Sequence, residues 1–160
     1  MAVKTYSQEL ECSASAARVF KAACLDSHNF FPKVLPQVIK SVEFVQGDCV
    51  APGNVKVLKY VSEGEIKFVK HRVDEVDVEK FYYKYTTTEG DILGDGIECI
   101  VVEEKVEAKG TGCVVKMSSH FHTKGDAELD EEKLKMGKEK ITLTFKVVDE
   151  YLQANPEVYA

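Results

Sequence analysis

The chain of 160 residues is long enough for one domain with its own core, and its 44% hydrophobic and 30% charged residues are the mix of an ordinary folded protein. Its formal net charge of −6, with no run of Lys and Arg, argues against nucleic acid as the main partner, because neutralising phosphates supplies most of that affinity. No stretch approaches the roughly 20 apolar residues of a membrane span.

The first predicted element is a strand over residues 3–11, where Tyr6, Gln8 and Leu10 alternate with Thr5, Ser7 and Glu9. The residues before it lack the apolar core of a secretory signal. Ser13 stands as N-cap to an Ala-rich run over 14–24, whose stripe of Ala16, Val19, Phe20 and Ala23 predicts a short helix. A second short helix is expected from Asp26-Ser27-His28, limited by Pro32 and Pro36.

Strands are predicted over 38–45 and 55–61, on either side of the turn-rich loop 47–54. After the tight turn 62–65 another strand runs from 66 to about 76. The aromatic and β-branched run 81–88 is the strongest strand signal. Gly90, Gly94 and Gly96 punctuate the next connection, and strands over 97–108 and 113–123 form a hairpin through Lys109-Gly110-Thr111-Gly112. From 130 to 153 Leu134, Ile141, Phe145, Val148 and Leu152 recur at helical spacing, so one long amphipathic helix closes the chain. Glu128, Asp130, Glu131 and Glu132 sit at its N-terminal end, where the helix dipole favours carboxylates.

One strand, two short helices, six strands and a long helix predict a single α+β domain over 1–160. Its seven-stranded antiparallel sheet curves around the C-terminal helix. A sheet gripping that helix at its ends only leaves a cavity between them. The five cysteines, Cys12, Cys24, Cys49, Cys99 and Cys113, are odd in number and contain no CxxC, which fits free thiols in a cytoplasmic protein.

Several stretches resemble one family. They are Val69-Lys70-His71-Arg72-Val73-Asp74-Glu75-Val76-Asp77, Phe81-Tyr82-Tyr83-Lys84-Tyr85 with Glu89-Gly90-Asp91, His122-Thr123-Lys124-Gly125-Asp126, and the tail from Val148 to Tyr159. With the order of elements, they resemble the plant class-ten pathogenesis-related proteins, the family of the major birch pollen allergen. The resemblance implies a helix-grip fold, an internal cavity and binding of hydrophobic or amphipathic plant metabolites. It also implies a defence or stress role. Loop 47–54 departs from the family's Gly-rich pattern: it keeps only Gly47 and Gly53 and inserts Cys49, Val50 and Pro52.

Alternation selects the residues expected to line the cavity. Phe81, Tyr83 and Tyr85 share one side of their strand, and rings plus two hydroxyls suit a ligand with few polar groups. Leu58 and Tyr60 share a face, as do Ile66 and Phe68 on the following strand; Ile100, Val102, Val115 and Met117 complete the wall, with Met136 and Phe145 from the helix. Strict alternation turns His71 away from Phe68, whereas the resemblance implies a polar residue in the cavity at that position, which requires a bulge.

Other chemistry is weaker. Loop 47–54 has no Gly-Lys-Ser/Thr leading into a helix, so it is no P-loop. His120 and His122 share a side but lack further ligands at metal spacing, and parity faces them to water, so neither metal nor cofactor is expected. Cys49, in a loop, is the thiol to test for reactivity. The family includes norcoclaurine synthases; Lys116 and Glu104 are the nearest matches to their lysine and a carboxylate, but the tyrosine has no counterpart and parity turns Lys116 outward. For the ribonuclease activity proposed in the family, Glu150 and Tyr151 are present but adjacent on a helix, where neighbours do not share a face. A mostly monomeric binder, storing or carrying a flavonoid, cytokinin, sterol or alkaloid precursor, is the function expected.

Overall fold

The structure, a computed structural model, describes residues 2–160. Strand β1 (Ala2–Cys12) leads into α1 (Ala16–Phe20) and α2 (Ser27–Val34). Six strands follow: β2 (Ile39–Gln46), β3 (Val55–Ser62), β4 (Glu65–Asp77), β5 (Tyr82–Gly90), β6 (Ile97–Lys109) and β7 (Gly112–Thr123). Helix α3 (Glu131–Ala154) comes last. All seven strands form one antiparallel sheet in the order β1-β7-β6-β5-β4-β3-β2. After β1 the chain crosses to the far edge through α1 and α2, then meanders back until β7 lies beside β1.

The first helical segment differs from the sequence expectation. Ser15, not Ser13, is the N-cap of α1, its hydroxyl accepting the Arg18 N–H at 3.5 Å. The N–H groups of Ser13 and Ala14 go instead to the Asp149 carboxylate of α3, each at 2.9 Å. Beyond Phe20 the helix widens into a π turn, Lys21–Leu25, in which the Asp26 N–H donates to the Lys21 carbonyl at 2.8 Å. Pro32 lies inside α2 without ending it. Its missing N–H faces only the first turn, and the helix ends two residues on, so a single absent bond is tolerated.

The loop between β2 and β3 is laced onto the sheet. Asn54 Nδ2 donates to the Cys49 carbonyl at 2.9 Å, and the Gly53 N–H to the Val73 carbonyl at 2.8 Å. Gly47 has φ +80°, and a Cβ there would fall on the Asn54 side chain, so glycine is required for conformation and for space.

The core is concentrated at one end of α3. Val148 and Leu152 are fully buried with Val19, Phe20 and Ala22, against Val106 and Val115 of the sheet. Phe30 of α2 meets Tyr151 and Tyr159 edge-on, with centroids 5.6 and 5.5 Å apart. Arg18 fastens this end: its Nη2 donates to the carbonyls of Leu152, Asn155 and Val158 at 2.8–2.9 Å, and its Nε to Val158 at 3.1 Å. Those carbonyls lie at and beyond a helix C-terminus, where orphan acceptors and dipole both favour a cation. The N-terminal half of α3 buries no side chain fully; Leu134 and Ile141 are half-buried. The helix comes closest to β1, α1 and α2, not to the central strands. Among the described residues no helix is long and apolar enough to cross a membrane.

Candidate ligand-binding site

Register decides which side chains face α3, because directly opposed residues of an antiparallel pair share a face. Lys56, Leu58 and Tyr60 of β3 stand opposite His71, Val69 and Lys67 of β4. His71 in turn opposes Thr87, Val73 opposes Tyr85, and Tyr83 opposes Glu104. Tyr85 opposes Val102 and Thr87 opposes Ile100, while Glu104 stands opposite Met117. These residues form one concave row running from β3 to β7.

The same register corrects the expectations for Ile66, Phe68 and the turn of the chain before His71. Ile66 and Phe68 oppose Val61 and Lys59, so they lie on the convex face, 67% and 39% exposed. Sequence alternation separates them correctly from His71, but the sides are reversed: His71 points inward with Val69, β4 is regular against β3 here, and the irregularity lies against β5, where Thr88 is the extra residue between the Lys70–Glu89 and His71–Thr87 pairs. Met136 is nine residues from Phe145, two and a half helical turns, so it faces away from the sheet and is 49% exposed, whereas Phe145 is buried. Val115 is on the concave side and wholly buried in the core.

Leu58, Tyr60, Tyr83, Tyr85, Ile100, Val102, Met117 and Phe145 lie on the helix side of the sheet, and His71 lies there too, as the resemblance rather than the alternation implies. Within this row three rings stack: His71 lies 4.5 Å from Tyr85, and Tyr85 lies 5.2 Å from Tyr83, between centroids. Burial drives the His71 imidazole down to about 3, and the Lys56 ammonium beside it pushes the same way. Burial also raises the Tyr83 and Tyr85 phenols well above their ordinary range. His71 and Tyr85 nonetheless keep accessible surface, as do Leu58 and Tyr60. The Tyr83 hydroxyl is buried and has no hydrogen-bond partner among the described residues.

A polar group missed by the sequence reading lies next to these rings. Lys56 is only 4% exposed; its Nζ donates to Ser27 Oγ of α2 at 2.9 Å and lies 5.4 Å from the Tyr83 ring centre. Burial lowers this amine to about 8, against the opposing pull of the Glu104 carboxylate. Glu104 is 7% exposed and accepts the Cys24 thiol proton on Oε2 at 3.1 Å; burial raises its carboxyl. A lysine in a strand reads as solvent-facing, yet Lys56 is two residues from Leu58 and four from Tyr60, so their shared parity was the available signal. Cys24 and Ser27 are placed by the π turn, which no sequence periodicity announces.

The convex face carries the alternatives. Lys116 is exposed and paired with Glu107 at 2.9 Å and Glu9 at 3.8 Å, far from the concave row. His120 bridges Thr5 and Glu103, each at 2.8 Å, and Tyr82 donates to the same Glu103 at 2.6 Å. That ladder joins β1, β7, β6 and β5 on the outer surface. Among the described residues no group of three or more His, Cys, Asp and Glu is gathered to hold a metal ion.

Comparison with known proteins agrees with this architecture. Major allergen Mal d 1 of Malus domestica is 42% identical over 159 residues, covering 99% of both chains. Major allergen Pru av 1 of Prunus avium is 41% identical over 160 residues with the same coverage. The crystal structure of Ara h 8.0201 superposes with a TM-score of 0.86 at 34% identity, over 96% of this chain and 100% of that one. Norcoclaurine synthase from Thalictrum flavum shares the fold, with a TM-score of 0.73 at 21% identity over 96% of this chain and 88% of that one. Residues 1–155 match the profile of the pathogenesis-related protein Bet v 1 family, and the chain belongs to that family.

Proposed function

We propose that the concave face and α3 enclose a cavity in which the protein binds, and so stores or carries, an apolar or amphipathic plant small molecule. The observation that carries this reading is the Tyr83 hydroxyl, buried without a partner among the described residues, beside His71, Tyr85 and Lys56. A buried hydroxyl left unpaired is costly, and a ligand's polar group offsets that cost. Residual accessible surface on His71 and Tyr85, whose pKa shifts are dominated by burial, supports an enclosed space rather than open solvent.

Leu58, Tyr60, Ile100, Val102, Met117 and Phe145 supply the apolar wall in this reading, with Tyr83, Tyr85 and His71 as polar contacts. A flavonoid, cytokinin, sterol or alkaloid precursor has the required mix of rings and few hydroxyls. A cytoplasmic, mostly monomeric protein acting in defence or stress is the setting that family membership favours. An enzyme reading after the pattern of norcoclaurine synthase loses its lysine, since Lys116 faces outward. A ribonuclease reading gains no pocket from Glu150, exposed, and Tyr151, packed on Phe30. Native mass spectrometry of the protein from its own tissue tests the proposal. Binding predicts a released small molecule that an apolar fluorescent probe displaces; an empty protein that refuses the probe contradicts it.

A further inference from the structure

We propose that Lys56 is a nucleophilic amine that captures aldehydes or ketones as an imine inside the cavity, with Glu104 handling the protons. The inference rests on the binding reading above and adds a covalent step to it.

Three observations carry it. First, Lys56 is nearly fully buried among groups that do not clamp it as an ion pair: its hydrogen-bond partner is the neutral Ser27 hydroxyl, and the Tyr83 ring faces it. Such an amine loses little when its proton leaves. Second, the groups around it are Cys24 of the π turn, Ser27 and His28 of α2, His71 of β4, Tyr83 of β5 and Glu104 of β6. Burial lowers both His28 and His71 and raises the carboxyl of Glu104, which takes the acid–base role in this set. Third, Lys56 occupies the same strand face as Leu58 and stands opposite His71, both of which keep accessible surface. A carbonyl compound lying on those side chains presents its carbon to the Lys56 end of the row.

The position of the amine's titration, near 8, leaves about a quarter of it unprotonated at pH 7.5, where an ordinary lysine has roughly one part in a thousand. Lys56 Nζ attacks the carbonyl carbon; the C–N bond forms as the C=O π pair moves to oxygen. That oxygen takes a proton from the Glu104 carboxyl, and the nitrogen returns one to the carboxylate, giving a carbinolamine. The nitrogen lone pair then forms C=N as the C–O bond breaks and water leaves with the carboxyl proton. The resulting iminium returns its N–H proton to Glu104, so the net change is amine plus carbonyl to imine plus water. No oxidant or reductant enters.

The test uses 2-naphthaldehyde with cyanoborohydride, which reduces any imine to a stable secondary amine, followed by peptide mapping. The proposal predicts labelling at Lys56 at least about tenfold faster than at exposed Lys135, with a rate that rises through a midpoint near pH 8. Excess 2-naphthol, the same ring system without the carbonyl, protects Lys56. Lys56→Arg removes the fast label, and Glu104→Gln slows it about fivefold or more. Labelling of Lys56 no faster than Lys135, in wild-type protein that binds 2-naphthol, overturns the covalent step alone. Failure to bind 2-naphthol as well overturns the cavity reading and this inference together.

Discussion

His71 of β4 and Tyr85 of β5 lie ring against ring, 4.5 Å between centroids and inclined by 33°. The stack places a neutral imidazole beside a phenol, next to the buried Lys56. The imidazole's proton affinity falls from the ordinary value of 6.5 to about 3 in the folded chain. The unfolded chain therefore binds a proton between those values and the folded one does not. Stability linked to His71 is full above pH 6.5 and declines as pH falls toward 3, by up to about 1.4 kcal/mol per pH unit. Urea denaturation of wild type and His71→Gln between about pH 4.5 and 7 measures this. The stability advantage of wild type over the variant should shrink with acid; parallel pH profiles mean a solvated, ordinary histidine.

Tyr83→Phe separates fold from function. The hydroxyl it removes has no partner among the described residues, so the variant should be as stable as wild type, or up to about 1 kcal/mol more stable. Binding of a hydroxylated flavonoid should weaken about five- to tenfold, the worth of one hydrogen bond. Calorimetric titration beside a denaturation curve reads both quantities. A clear loss of stability means that the hydroxyl has a structural partner.

The fold was legible because its signals were local and redundant. The Gly110-Thr111 connection, the aromatic run of β5 and the spacing of Leu134, Ile141, Phe145, Val148 and Leu152 each specify an element independently. The concave face was legible where one parity is polar: on β6 the outward set includes Glu103, Lys105 and Glu107. On β4 both parities mix apolar and charged residues, with Ile66 and Phe68 on one side and Lys67, Val69 and His71 on the other. Alternation then gives the partition without the sign. Only pairing with β3, where Lys56 tucks under Ser27, fixes it. Met136 was misplaced because apolar character outweighed phase, its angular distance from Phe145 being half a turn.

Thiol labelling should follow exposure. Cys49 is exposed in its loop, Cys99 is half-buried with its thiol pushed up by burial, and Cys12, Cys24 and Cys113 are buried. Brief iodoacetamide treatment of native protein, followed by mass spectrometry, should modify Cys49 first and leave the buried three unmodified until denaturant is added. Early modification of Cys24 would mean that the π turn opens in the native state.

Arg18 ties α1 to the end of α3. Arg18→Ala removes a charged donor from three carbonyls of a partly buried helix end, and should cost about 2–3 kcal/mol. The midpoint of thermal unfolding should fall by roughly 5–10 °C for a chain of this size. Arg18→Lys should recover only part of the loss, since a single ammonium does not reproduce the guanidinium fork. An unchanged midpoint would show that α3 is held by its apolar stripe alone.

The central claim is a ligand-sized space between the concave face and α3, and its most direct test is titration with anilinonaphthalene sulfonate. The near-ultraviolet circular dichroism of the same sample establishes that the fold is native. The account predicts a saturable rise in fluorescence at about one probe per chain, reversed by the flavonoid naringenin. A natively folded protein giving no saturable rise, or a rise that naringenin leaves untouched, would contradict it.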